Sequence, residues 1–523
     1  MKKLVLVLMV LIMASTTVFA GGGGQQQSAA AASLTPTGRV RVEIFDRGTD
    51  GGRTLAHDNA WTNWIKEKVK RDLNIDVEFV PVGRWSEPQD MTNLMASRSA
   101  PDLCYTYDGG LVANFRDWGG ILNLAPYIDS YLPDLKAMLG SDPVYPDRDF
   151  IYRNIDPNTG AIYSIPSYRI EVAQRNIFIR EDWLTTLNIP VPTTMEQFYN
   201  ALVAFRNNAT RLGVEANRIV PFGVNEDARW GLANMIHHFI DPNMTVRDRW
   251  VYTIAERNIY MPGYKEGMRE MNKWYNEGLI FRDFPLMTTA DDFYNLIKSG
   301  VVGAFCQNWD LPYRNDYNII ADLRRTVPNA NFIPIDVARN KDMFDKVGLQ
   351  VFIPEYSPNK DAALKYLNWL AKPENYNFLQ IGTLGVNHEM IDGWPRPMGT
   401  TGQWIMNSAN NIDYTMNMNG IEMGTSEGNA AVNMVRPGFT PAVIANAYDV
   451  SVRNARAPAV WTAVTRVNQY TLDLQERADA LIAQAITSSA AQFDSIWDNG
   501  IQAWLRAGAQ EVFNERSSLY PAR

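Results

Sequence analysis

Residues 61–82 read WTNWIKEKVKRDLNIDVEFVPV, and the change of period within them decides the fold class. Trp61, Trp64, Ile65, Lys68 and Val69 recur at helical spacing, whereas Ile75 to Val82 alternates apolar and polar residues as a half-buried strand does. Upstream, VRVEIF (40–45) is a short buried strand that ends in the polar turn Asp46-Arg47-Gly48. The order is strand, helix, strand, the unit that builds a parallel sheet. Downstream, the helix MTNLMASR (91–98) leads into PDLCYTY (101–107), a further apolar strand. An α/β sheet of this kind offers a ligand the loops at the carboxyl ends of its strands, so Asp46 and Arg47 are candidate contacts. A carboxylate and a guanidinium there can accept from and donate to the polar groups of a ligand.

Later segments repeat the alternation. After AIYSIPSYR (161–169), Thr193 and Glu196 in TTMEQFYNALVAF make a capping-box pattern, and Phe198, Ala201, Leu202 and Phe205 form one apolar face. The helix DDFYNLI (291–297) runs into the strand VVGAF (301–305), and NFIPIDV (331–337) and GLQVFIP (348–354) return the chain to sheet. Ser357 and Pro358 read as the cap and first turn of a helix containing ALKYLNWLA (363–371). The C-terminal stretch has Ala-rich helical periodicity and no strand signal.

The N-terminus has its own logic. Lys2 and Lys3, the uncharged run Leu4–Ala14 and small residues up to Ala20 follow the order of a secretory signal cleaved after Ala20. The apolar run is too short to span a bilayer. Residues 21–38, rich in Gly, Gln and Ala, read as a flexible linker. A lipid-anchored bacterial protein needs Cys as its first mature residue; here that residue is Gly21, and the two cysteines are Cys104 and Cys306. The reading is a soluble exported protein without a lipid-attachment Cys. With 523 residues the chain exceeds what one hydrophobic core usually serves, so two lobes are expected. A formal net charge of -8 argues against a nucleic-acid partner. Two cysteines make no disulfide framework, and whether they pair is not legible in sequence. The 15 Trp, 23 Tyr and 21 Phe fill core, and their surplus also suits stacking on the apolar faces of sugar rings.

Read in order, SAPDLCYTY (99–107), GAIYSIP (160–166), NIFIREDWLTTLNIPVPTTMEQF (176–198), PGYKEGMREMNKWYNEGLI (262–280), SGVVGAF (299–305) and SPNKDAALKYLNWLAKPE (357–374) resemble family 1 of the bacterial extracellular solute-binding proteins. The likeness is to the long oligosaccharide-binding group that serves ABC importers. It implies a type II periplasmic-binding-protein fold: two α/β lobes with a ligand cleft between them and a helical C-terminal section. Lobe 1 would be 39–165 and 330–385, and lobe 2 would be 166–329 and 386–523. The implied partners are a carbohydrate and the membrane-spanning permease subunits, with the protein a periplasmic monomer that uses no cofactor. Many long members carry an acidic calcium loop, but this chain has RNNATRLGVEANRIVPFG (206–223) at that place, so no metal is expected.

The resemblance also places candidate contacts. Tyr105, Tyr107 and Asp108 follow the PDL strand, where the family puts sugar contacts. Trp309 in GAFCQNWDLP holds the place of an aromatic stacking platform, with Asn308 and Asp310 as hydroxyl partners. Trp230 and Trp394 sit beside polar residues in Gly- or Pro-containing loops, and Tyr168 and Arg169 lie at the expected lobe crossing. Each of these aromatics has packing as its ordinary alternative.

Catalytic motifs compete poorly. GTSEG (424–428) fits the nucleophile elbow, but no strand precedes it and His57, His237, His238 and His388 all lie upstream. His237 and His238 are adjacent and diverge on a helix, so they do not make a metal pair. A secreted glycosidase needs only two carboxylates and stays as the alternative function. An exported structural or signalling protein is the third reading.

Overall fold

The computed structural model describes residues 34–519 apart from 47–54, 143–146, 157–158, 255, 315–316, 399–413, 435, 437 and 460–464. The expected signal, most of the linker and Arg47 lie outside the described residues. In chain order the strands begin with β1 (Arg39–Asp46), β2 (Asp76–Gly83), β3 (Cys104–Thr106), β4 (Ile165–Arg169) and β5 (Arg175–Arg180). There follow β6 (Val220–Gly223), β7 (Val302–Asn308), β8 (Phe332–Ile335), a short β9 (Lys341–Asp342) and β10 (Val347–Phe352). A hairpin β11 (His388–Ile391) and β12 (Trp394–Pro397) and the short strands β13 (Met418–Asn419) and β14 (Ala455–Arg456) complete the set.

The opening stretch folds as its periodicity dictates. Trp61, Ile65 and Val69 are buried on one stripe of the helix Ala60–Leu73, which Asn59 caps by accepting from Trp61 and Thr62. That helix carries the chain from β1 to β2, which pair in parallel from Arg39↔Asp76 to Asp46↔Gly83. The pair extends to β3 through the parallel bridge Val42↔Leu103 and the Glu43 N–H bond to the Leu103 carbonyl. β10 then lies antiparallel between β3 and β4.

In the second sheet the order is β6-β7-β5-β8. The apolar face Phe198, Ala201, Leu202 and Phe205 is fully buried against it. Its cap is one residue later than the capping-box reading: Thr194 accepts from Gln197, whose side chain takes the Thr193 N–H. Ser357 likewise hydrogen-bonds Asp102 and Asn359 instead of capping, and that helix begins at Lys360. The C-terminal helices Thr465–Thr487, Phe493–Trp504 and Gln510–Leu519 extend the second core, contributing Leu474, Ile482, Trp497 and Trp504. Burying each such side chain is worth about 1.5–3 kcal/mol. Close approach helps elsewhere in this core: a Cβ at Gly267 on the helix Tyr264–Asn276 would stand 2.5 Å from the Ile236 carbonyl of the helix Ala228–His237, so only glycine lets those two helices meet.

Two segments sit on the sheet opposite to the one expected. Residues 332–335, read with the first lobe, pair as β8 with β5 from Ile177↔Ile335 to Arg180↔Phe332 in the second sheet. Phe332 packs edge-on against Phe305, 4.9 Å away, so the crossing back comes after β8 and not before it. Conversely, β13, from the stretch read as second lobe, pairs with β4, while Tyr414 and Met416 fill the first core.

These crossings position the site. β4 ends at Arg169 and β5 begins at Arg175; β8 ends at Ile335 and β10 begins at Val347. The edge where β1 to β4 end is thereby tied by short segments to the edge where β6, β7 and β8 end. Among the described residues no helix is long and apolar enough to cross a membrane.

Candidate ligand-binding cleft

On the first edge, the ends of β1, β2 and β3 bring Asp46, Arg84 and Tyr107 together. The Arg84 guanidinium stands 5.1 Å from the Phe45 ring, 5.2 Å from Trp85 and 4.6 Å from Tyr107, a cation flanked by aromatic faces. Trp85 is 80% exposed. Asp108, one residue on, caps the next helix by accepting from Gly110. Of the sequence candidates here, Asp46, Tyr107 and Asp108 reach the edge. Tyr105 does not: as the inward residue of the alternating pair it is buried, with its hydroxyl accepting from Phe45.

At the crossing, Tyr168 lies edge-on to Phe150, with the Lys346 ammonium 5.1 Å above its ring. Arg169 covers the Phe344 ring at 5.0 Å. Both residues therefore lie where the sequence reading put them, between the sheets.

On the second edge, Asn308 at the end of β7 pairs with Arg175 at the start of β5. Arg175 lies 4.3 Å over the Trp230 ring, whose Nε1 donates to Gln307 at 2.6 Å. Asp227 fixes the approach of Trp230 by capping its helix. Arg175 also donates to Asp342 at 2.5 Å, and His237 Nδ1 is 3.1 Å from the same carboxylate. Burial alone would raise the Asp342 carboxyl, but His237 and Arg175 hold it below the usual range. Behind this cluster is a cavity of about 140 Å³, lined by residues that include Arg229, Arg249, Tyr264 and Phe344.

Three further sequence candidates are corrected. Trp309 is only 2% exposed: Tyr448 meets its ring edge-on at 5.6 Å, its Nε1 donates to Glu171, and its backbone N–H extends the ladder to Gln174. No face of it is open to a sugar. Asp310 is fully buried and bonded to Arg314 and Arg436, an internal ion pair. Trp394 packs on the helix Ser426–Asn433, where a Cβ at Gly428 would come within 2.7 Å of its ring. GTSEG runs into the start of that helix, with Thr425 as cap and Ser426 donating to Asp449. Cys104 and Cys306 are free and buried in different sheets, and burial pushes the Cys306 thiol up to about 11. Sequence reasoning missed Arg84, Trp85, Arg175 and Asp342. For Trp85 the signal existed, since VGRWSEP places an aromatic just past a strand, as at Trp309.

No family model matches the chain. It is 25% identical over 241 residues to the fructooligosaccharide ABC transporter substrate-binding protein FusA of Streptococcus pneumoniae, covering 42% of this chain and 41% of that one. To the polygalacturonan/rhamnogalacturonan-binding protein YtcQ of Bacillus subtilis it is 23% identical over 341 residues, 62% of this chain and 63% of that one. The chain spans about half the length of the curated relatives it matches, from 40% to 63%. Among solved structures, an HMO-binding ABC-transporter-associated solute-binding protein from Bifidobacterium longum infantis superposes with a TM-score of 0.62 at 16% identity, over 92% of this chain and 98% of that one. With two sheets joined edge to edge by crossing segments, and with these likenesses, the chain has the two-lobed fold of the solute-binding proteins associated with ABC transporters.

Proposed function

We propose that the chain is an exported solute-binding protein that captures an oligosaccharide between its sheet edges and hands it to an ABC permease. The observation that carries this reading is the pair of edges themselves. One presents Trp85 and Tyr107 around Arg84, and the other presents Trp230 under Arg175, so aromatic faces and fixed charges meet where α/β sheets take ligands. The names of FusA and YtcQ, both of which specify saccharides, support the ligand class. The lobes would comprise 39–169 with 347–381 and 414–419, and 175–335 with 426–519; closure about the crossings would trap the ligand. Cleavage after Ala20, release into a periplasm, a monomeric state and action without catalysis belong to the same proposal.

A glycan array followed by calorimetric titration tests it. The expected result is a saccharide that binds the folded protein and is recovered intact by chromatography. Hydrolysis at enzymic rates, or no binding across neutral and acidic glycans, would sink the reading.

A further inference from the structure

The cavity behind Arg175 carries more positive charge than its own carboxylates balance. Arg175, Arg229, Arg249 and Arg456 line it, against Glu256 and Asp342. Arg175 is taken by Asp342, and Arg229 by Asp227 at 3.0 Å, Glu256 at 3.7 Å and Asp479 at 3.9 Å, the last shared with Arg257. Arg249 and Arg456 are different. Arg249 donates to the Ala457 carbonyl and Arg456 to that of Pro242, and among the described residues neither has a carboxylate within ion-pairing distance. Burial, and then the charge of Arg456, pull Arg249 below the usual guanidinium range, as two like charges sharing a partly desolvated wall require. Arg175 is 3% exposed, and its Nε is buried without a hydrogen-bond acceptor. Such a set lacks one anion.

Size and the other walls narrow what that anion is. At about 140 Å³ the space is ring-sized, since a cavity of about 150 Å³ takes a benzene. Gln174, Thr253, Asn258 and Asn340 add neutral polar groups, while Tyr264 and Phe344 add apolar faces. Hydroxyl partners, ring faces and unbalanced guanidinium groups together describe a six-membered sugar that bears a carboxylate. The β5–β7 register places Arg175, which lines the cavity, opposite Asn308 at the second sheet edge.

We infer that this cavity is a subsite for one acidic sugar residue, its carboxylate bound by Arg249 and Arg456. The inference rests on the saccharide-binding reading and adds the charge of the ligand.

Its test uses the mature protein and matched pairs: oligogalacturonate, oligomannuronate and sialyllactose, each against its methyl ester, with neutral kestose and maltotriose alongside. At least one acid should bind about tenfold tighter than its ester, the worth of a charge-assisted hydrogen bond, and more weakly as salt rises. Arg249→Gln/Arg456→Gln should erase the difference between acid and ester, whereas Arg249→Lys should keep most of it; thermal melts establish that each variant is folded. Equal binding of acid and ester overturns the subsite. So does binding confined to the neutral sugars, an outcome that leaves saccharide capture standing. A preference for acids that survives the double substitution also overturns it. If nothing in the panel binds, the subsite is overturned, and saccharide capture is decided separately by the glycan array.

Discussion

Trp85 and Trp309 share one sequence signature, an aromatic just past the carboxyl end of a strand, yet one is 80% exposed and the other 2%. The difference lies in what the chain lays over each loop. Trp309 is one ladder step further along, its N–H bonded to the Gln174 carbonyl, and the helix Pro441–Val452 brings Tyr448 down on it. Asp310 then locks the loop to Arg314 and to Arg436. Trp85 instead leads into the helix Glu87–Ala96 and has Arg84 beside it, so its ring stays available. An aromatic at a strand end is therefore a ligand platform only where no later element has claimed its face. Well over a hundred residues separate the covering helix Pro441–Val452 from β7, and local pattern does not carry that information.

Substitutions can break this contrast. The largest effect is expected for Trp309→Ala, which should cost about 3–5 kcal/mol of stability through the cavity it leaves. Urea unfolding reads the loss, while the folded fraction should bind ligand normally; near-native stability with lost affinity would return Trp309 to the site. Asp310→Asn should follow at ~2 kcal/mol, less than the ~3–5 kcal/mol of a fully buried pair because both arginines keep some solvent. Trp85→Ala should do the reverse, leaving stability within about 0.5 kcal/mol. Its affinity loss should be on the order of 2 kcal/mol, roughly thirtyfold, by titration.

The smallest effect is a pH slope. Burial, then the nearby Asp310 charge, raise the Glu171 carboxyl above its ordinary value of 4.5. In the window between that value and the raised one the folded state holds more protons than the unfolded state, so stability falls as pH rises and then levels off. Glu171→Gln keeps a partner for the Trp309 Nε1 and should flatten that slope in denaturation curves recorded across the window. An unchanged slope would show that Glu171 is not the titrating group.

Much of the fold was legible because periodicity is local. The helix Ala60–Leu73, the face Phe198 to Phe205 and most strands follow from spacing alone. The assignment of β8 and β13 to their sheets was not legible, because pairing partners are chosen by three-dimensional neighbours and short apolar runs pair equally well on either side. At the site, Asp46, Tyr107, Asp108, Tyr168, Arg169, Trp230 and Asn308 sit at the edges or crossing as strand ends dictate. Arg175 and Asp342 were missed because their role depends on a meeting between β5 and β9 that no spacing records.

Small-angle scattering of the mature protein, with and without the tightest-binding saccharide from the array, tests the central claim most directly. A smaller radius of gyration is expected at saturation, as the two sheet edges close on the ligand, with the saccharide recovered unchanged. A saturated complex with an unaltered radius would contradict capture between the edges.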